Sequence, residues 1–103
     1  MNKQKIYQLI GLCQKARKLV SGEFSVKQAV LDQKAYLVIV TEDASDNTKK
    51  LFKDKSSYRS IPYVEWGTRD DLGRMLGKDQ RVAIAILDEK LAEKIMEMIK
   101  NNA

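Results

Sequence analysis

The chain has 103 residues and a formal net charge of +5, with 44% hydrophobic and 32% charged residues. This length and balance fit a single globular domain over residues 1–103 and exclude an intrinsically disordered chain. A lone cysteine excludes an internal disulfide and no apolar run reaches membrane-spanning length, so we expect a cytoplasmic protein that makes no membrane contact.

Helical and strand-like patterns alternate in the first half of the chain. Apolar residues three and four apart predict an amphipathic helix over residues 3–16, with Cys13 as a buried small hydrophobe on its stripe. Residues 19–20 suggest an edge strand. A second helix is expected from Ser21 to about Gln33. Its buried face would carry Val26, Ala29 and Val30.

A buried strand and a third helix are predicted next. Residues 36–40 form an apolar run rich in β-branched residues, which is typical of a central strand covered on both faces. Ser45 or Asp46 is suited to cap a helix over residues 46–57, with Leu51 and Phe52 directed inward.

The last third repeats this alternation. Residues 61–64 predict a second strand, and Trp66-Gly67 a turn in which the indole is half exposed. Thr68 opens a short fourth helix in a pattern like a capping box, and Gly77 ends it. The segments that complete the chain are a strand over residues 82–87, an Asp88 cap, and a last helix with Leu91, Ile95, Met98 and Ile99 inward. Such alternation predicts an α/β fold with a sheet between two helix layers.

The positive charge is concentrated in one third of the sequence. Residues 1–34 hold seven basic and two acidic side chains, which accounts for the whole excess of +5. A basic patch on a compact domain favours a polyanionic partner, usually nucleic acid, although a soluble basic protein without such a partner fits the same number.

Residues suited to catalysis are sparse. The chain lacks histidine, and it contains no phosphate-binding glycine loop, paired-cysteine motif or nucleophile elbow. Glu42, Asp43 and Asp46 follow a strand and are oxygen ligands of the kind Mg²⁺ accepts, but loop solvation and helix capping explain them better. We therefore expect no enzyme, no catalytic residue, no metal site and no cofactor. A phosphatase-like activity that uses the acidic residues near Asp43 is a third hypothesis, which no motif supports.

The start of the second helix carries a distinctive set of side chains. On a helical wheel Phe24, Lys27 and Gln28 point away from the core-facing residues, at a helix N-terminus whose free N–H groups attract phosphate. An aromatic ring among basic groups is a common platform for unstacked RNA bases. Leu31 lies one heptad from Phe24, so the wheel alone leaves burial and exposure of Phe24 equally open.

Several segments resemble, in order and spacing, the kink-turn-binding ribosomal protein family of the L7Ae type, and in particular its bacterial YlxQ-like branch. The segments are residues 12–22 (LCQKARKLVSG), 37–45 (LVIVTEDAS), 47–50 (NTKK), 61–64 (IPYV), 71–73 (DLG) with Gly77, and 81–85 (RVAIA). The resemblance covers nearly the whole chain. It implies a three-layer α/β/α sandwich around a small mixed sheet and binding to a kink-turn, a sharply bent RNA.

The resemblance also implies which residues contact RNA. In the family, the start of the second helix reads guanines and the loop after the fourth helix packs on a flipped-out nucleotide. Phe24, Ser25 and Gln28 stand where strong binders have an Asn-Glu pair and a Lys, which implies altered or weaker specificity. The expected RNA-binding set is Lys15, Arg17, Lys18, Ser21, Gly22, Glu23, Phe24, Ser25, Lys27, Gln28, Trp66, Gly67, Thr68, Arg69, Lys78 and Arg81.

Two functions follow from these expectations. The first is a monomeric RNA-binding protein that recognises a kink-turn and associates with ribosomal RNA. The alternative is a protein–protein adaptor on the same fold whose RNA specificity is lost or weakened. Salt-dependent RNA affinity would favour the first, and a partner whose binding survives nuclease treatment would favour the second.

Overall fold

The structure, a computed structural model, describes residues 3–102, in which five helices alternate with four strands. In chain order the elements are α1 (Lys3–Lys15), β1 (Leu19–Ser21), α2 (Glu23–Leu31), β2 (Leu37–Val40), α3 (Asp46–Tyr58), β3 (Tyr63–Glu65), α4 (Arg69–Met75), β4 (Ala83–Ile86) and α5 (Glu89–Asn101). No helix within the described residues is both long and apolar enough to cross a bilayer.

The four strands form one mixed sheet in the order β1-β4-β2-β3. β4 pairs antiparallel with β1 on one side and with β2 on the other, while β2 and β3 are parallel. Strands β1, β2 and β3 therefore run in one direction and β4 runs in the other. As a consequence, the segments after β1, β2 and β3 and the segment before β4 all lie at the same end of the sheet.

Alternate residues of the two central strands pack into two separate cores, as the two-residue period of a strand requires. Leu37 and Ile39 of β2 face the core built with α1, α4 and α5, whereas Val38 and Val40 face the core built with α2 and α3. All eight residues of β2 and β4 are buried. This arrangement confirms the predicted three-layer α/β/α sandwich.

Three helices begin with the side-chain caps that the sequence suggested. Ser45 Oγ accepts from the Thr48 N–H at 3.1 Å, and Asp88 Oδ1 accepts from the Leu91 N–H at 2.9 Å. Thr68 Oγ1 accepts from the Asp71 N–H at 3.2 Å. The reciprocal half of the capping-box pattern is not made, because the Asp71 carboxylate accepts from Arg74 instead. Satisfied N-termini stabilise helices by about 1 kcal/mol each.

Several predicted details are wrong, and each has a local cause. Leu51 is 39% exposed because Phe52 and Ser56, one turn apart, form the buried face of α3. α2 ends at Leu31 rather than Gln33, whose backbone adopts a left-handed φ of 56°. The second predicted strand begins at Tyr63, after the exposed Pro62. The segments at 36–40 and 82–87 shorten to four paired residues each.

Candidate nucleic-acid interface

Four connecting segments meet at one end of the sheet, here called the loop end: residues 21–22, 41–45, 66–68 and 76–82. Backbone hydrogen bonds join them directly. The Gly22 N–H donates to the Ala83 carbonyl at 3.0 Å, and the Glu42 N–H donates to the Gly67 carbonyl at 2.9 Å. Segments far apart in sequence are thereby fixed beside one another.

The first turn of α2 has no side-chain cap and is open to solvent. Gly22 occupies the N-cap position with φ 95° and supplies no side-chain cap to the helix. A Cβ atom placed on Gly22 would meet no atom within 4 Å, so the space above this turn is open. Unsatisfied N–H groups and the positive end of the helix dipole favour an anion such as phosphate at this place.

The outer face of α2 presents the predicted reader residues to solvent. Phe24 is 81% exposed, which resolves in favour of exposure the question that the helical wheel left open. Glu23, Ser25 and Lys27 are exposed as well. The Gln28 amide nitrogen donates to Asp32 Oδ1 at 3.2 Å, which orients this amide along the helix surface.

Arg81 is positioned against the start of α2 from the segment before β4. Its Nε donates to Ser21 Oγ at 3.2 Å, and its Nη1 donates to the Gln80 carbonyl at 3.1 Å. The guanidinium has further N–H donors beyond these two bonds. A fixed cation with spare donors beside an open helix N-terminus is suited to bind a phosphate group.

Arg69 and the acidic residues after β2 hold the loop end together. The Arg69 N–H donates to Asp43 Oδ1 at 3.1 Å, and Arg69 Nη2 donates to the Asp43 carbonyl at 2.6 Å. Desolvation would raise the pKa of Asp43, but hydrogen bonds, that of the Arg69 N–H among them, lower it below its usual value. The Gly67 N–H donates to Glu42 Oε2 at 3.2 Å. These contacts agree with a structural role for both carboxylates, and no metal-binding cluster of His, Cys, Asp or Glu occurs within residues 3–102.

Trp66 and Gly67 are buried, so the expectation of a half-exposed indole in this turn is wrong. Trp66 is 6% exposed, and its ring lies 4.6 Å from that of Tyr7, centroid to centroid. Gly67 has φ 78°, and a Cβ there would lie 2.7 Å from the Tyr7 hydroxyl oxygen. That hydroxyl also accepts from the Thr68 N–H at 3.4 Å. Burial raises the pKa of Tyr7.

Tyr7 is the positioning residue that the sequence analysis missed. It supports residues 66–68 from helix α1, and its only sequence signal was its place beside Ile6 on the apolar stripe. Trp66 and Gly67 thus shape the loop end from beneath, while Thr68, which is exposed, caps α4.

The segment after α4 lies directly on that helix. The Lys78 N–H donates to the Gly73 carbonyl at 2.8 Å, and a Cβ on Gly73 would overlap the carbonyl of Asp79. Gln80 Nε2 donates to Asp70 Oδ1 at 2.7 Å. Backbone contact of this closeness fixes the path of the segment, leaving the Lys78 side chain exposed.

The basic side chains of residues 15–18 are not gathered with the α2 start. The Leu87 N–H donates to the Lys18 carbonyl, whereas Gly22 pairs with Ala83 at the other end of β4. Lys18 and Gly22 are therefore roughly 13 Å apart along β1. Lys15, Arg17 and Lys18 are all exposed and form a second basic surface at the opposite end of the edge strand.

Comparison with known proteins gives consistent matches over the chain. Residues 4–96 match the family described as "Ribosomal protein L7Ae/L30e/S12e/Gadd45 family". A Bacillus subtilis (strain 168) protein named RNA-binding protein YlxQ is 42% identical over 93 residues, which are 90% of this chain and 93% of that protein. The protein of that name from Enterococcus faecium is 41% identical over 99 residues, covering 96% and 95% respectively.

Solved structures with the same fold include one close in sequence and one remote. A protein of unknown function from Bacillus halodurans C superposes with a TM-score of 0.89 at 38% identity, over 93% of this chain and 97% of that one. The Giardia lamblia 15.5kD RNA binding protein superposes with a TM-score of 0.79 at 18% identity, over 98% and 89%. The second likeness shows a shared fold alone.

Proposed function

Since this chain belongs to the ribosomal protein L7Ae/L30e/S12e/Gadd45 family, we propose that it is an RNA-binding protein that recognises a kink-turn through its loop end. The relatives named RNA-binding protein YlxQ support RNA as the ligand. The single observation that carries the proposal is the fully presented Phe24 ring, 81% exposed beside an uncapped helix N-terminus.

Phosphate contacts supply the first part of the binding energy. The open turn at Gly22 admits a phosphate close to the backbone, and Arg81 is fixed within reach of it through Ser21. Lys27 and Lys78 are exposed and add positive charge from α2 and from the segment after α4. Neutralising phosphates in this way gives an affinity that falls steeply with salt concentration.

Base contacts supply the second part. The Phe24 ring offers a face on which an unstacked base can lie, and every base has such a face. Ser25 and Gln28 are exposed polar groups one and four positions further on, within reach of the edge of the same base or its neighbour. A kink-turn suits this surface because its sharp bend unstacks bases and widens the groove.

The RNA extends beyond the loop end in this proposal. Lys15, Arg17 and Lys18 lie at the far end of edge strand β1, where a helical arm leaving the kink passes over them. Arg69 Nε lies 3.8 Å from the Asp43 carboxylate, which partly neutralises this cation, so Arg69 mainly shapes the surface and contributes less to phosphate binding than Arg81. Trp66 and Gly67 act from beneath in the same manner.

The test is a titration of a fluorescently labelled kink-turn hairpin, beside a straight RNA duplex of equal length, at two salt concentrations. We expect tighter binding to the kinked RNA and a steep fall of log affinity with log salt. Equal affinity for both RNAs would remove the kink-turn from the proposal and leave general RNA binding. Absence of binding to either RNA at low salt would refute the proposal as a whole.

A further inference from the structure

A cleft of about 610 Å³ lies at the end of the sheet opposite the loop end. One wall is the start of β2 together with residues 60–62, and the other is the exposed side of α5. Pockets of roughly 300–1,000 Å³ are the usual size of ligand sites in proteins. None of the residues assigned to RNA binding lines this cleft.

The floor of the cleft and its wall at residues 36 and 62 are apolar. Tyr36 is 47% exposed, Pro62 is exposed and Met96 is half-buried. Leu37 and Ala92, which are buried, close the bottom. Contiguous apolar surface that remains open to solvent in a charged domain marks a contact surface more often than single scattered residues do.

The rim of the cleft is a row of carboxylates. Glu89, Glu93 and Glu97 are four residues apart on α5, so they share one face of the helix at intervals of about 6 Å. Within residues 3–102 none of the three takes part in an ion pair. Lys100 is the one basic residue along the lining, so the cleft is acidic in a chain whose net charge is +5.

We propose that this cleft binds a basic, partly apolar segment of another protein. The carboxylate row complements Lys or Arg side chains four residues apart on a helix, which recur at the same interval of about 6 Å. Apolar side chains between those cations fit against Tyr36 and Met96. The same negative charge repels the phosphates of nucleic acid, which rules RNA out as the occupant.

The cleft lies away from the loop end, so a protein segment bound there would not displace RNA from the loop end. Residue 37 begins β2 at the cleft and residue 40 ends it beside the loop end, so the two surfaces are separated by the sheet. The basic residues 15–18 lie at the same end of the sheet as the cleft but on edge strand β1, and β4 lies between β1 and β2. A single molecule therefore has room for RNA along the loop end and β1 and for a basic protein segment between β2 and α5. The cleft proposal stands on its own geometry and does not depend on RNA binding.

The experiment uses the full chain and a fluorescent 12-residue helical peptide with Lys at every fourth position and Leu beside each. Glu93→Gln/Glu97→Gln removes two rim charges without changing shape, and Asp46→Asn/Asp54→Asn makes the same charge change on α3, in the other helix layer. We expect the first variant to weaken the peptide about fivefold and the second to change it less than twofold.

Amide chemical shifts locate the contact. The peptide should move the signals of residues 35–37, 60–61 and 89–101, and a peptide with Glu in place of Lys should move none of them. Equal weakening in both double variants, shifts centred on the loop end, or no binding at all would overturn the proposal. So would a concentration-dependent dimer that Glu93→Gln/Glu97→Gln abolishes, since a second copy of the chain would then be the occupant.

A separate readout distinguishes this proposal from the RNA proposal. Glu93→Gln/Glu97→Gln should leave the preference for kinked over straight RNA unchanged, because the cleft and the loop end share no residue. If that preference were lost together with peptide binding, the cleft would not be an independent surface.

Discussion

Replacing Phe24 by alanine tests the role assigned to the start of α2 most directly. Stacking of one base on an aromatic side chain is worth about 1–3 kcal/mol, so Phe24→Ala should raise the dissociation constant for kinked RNA about 5- to 150-fold. Since 81% of the Phe24 surface is already in solvent, the free energy of unfolding should change by less than about 0.5 kcal/mol. Phe24→Ala should therefore weaken RNA binding while leaving the stability of the fold almost unchanged.

A matched control exists in the same chain. Tyr58 is 85% exposed and ends α3, which begins at the loop end, so about 18 Å of helix separates it from that surface. Fluorescence anisotropy with labelled RNA at one fixed salt concentration would measure both alanine variants, and urea unfolding would confirm their stability. Phe24→Tyr should recover most of the affinity, because it restores a ring of the same size.

Two results would refute this reasoning. If Phe24→Ala binds as tightly as the unmodified chain, no base stacks on that ring. If Phe24→Ala and Tyr58→Ala weaken binding equally, exposed aromatic surface contributes without regard to place, and the loop end is not a reading surface.

Three further predictions concern Arg81, two glycines and Cys13. Arg81→Gln should reduce the slope of log affinity against log salt by about one, as loss of one phosphate contact does, whereas Lys94→Gln on α5 should leave that slope unchanged. Gly73→Ala should lower the free energy of unfolding by about 2–3 kcal/mol in urea titrations, because backbone occupies the place of its Cβ. Gly22→Ala, whose Cβ meets no atom, should lower it by about 1–3 kcal/mol, because φ 95° with ψ 150° is a conformation adopted almost only by glycine. Burial, with a smaller effect of the nearby Asp88 charge, raises the pKa of Cys13 from 9.0 to about 11, so the unfolded thiol ionises first as pH rises. The free energy of unfolding should then fall by about 1 kcal/mol between pH 8 and 10, and Cys13→Ala should remove that part of the fall. An equal pH dependence in both chains would contradict this prediction.

Elements whose signal is local were predictable from sequence. The two central strands are continuous apolar runs, and the caps at Ser45, Thr68 and Asp88 precede their helices directly. The exposure of Phe24 was not predictable, because a helical wheel gives the direction of a side chain but not whether another helix lies there.

Two features of the site depend on contacts between distant parts of the sequence. Trp66 is buried in part because Tyr7 of the first helix packs against it with the rings tilted by 49°, and nothing near Trp66 in the sequence indicates that partner. Lys18 and Gly22 are close in sequence, but the extended strand between them carries them to opposite ends of β4. The basic residues that are neighbours in the sequence are therefore more widely spread over the surface than the sequence suggested.

The residues of α2 that pack in the core are different from those that face solvent, and this affects how the surface can change in evolution. Val26, Ala29 and Val30 are the buried residues of the helix, while Phe24 and Gln28 lie on its exposed side and take no part in the core. Replacement of those outward side chains leaves folding almost untouched, so new ligand preferences are open to selection without a loss of stability. We therefore expect related proteins to differ at these exposed positions of α2 while keeping the same fold.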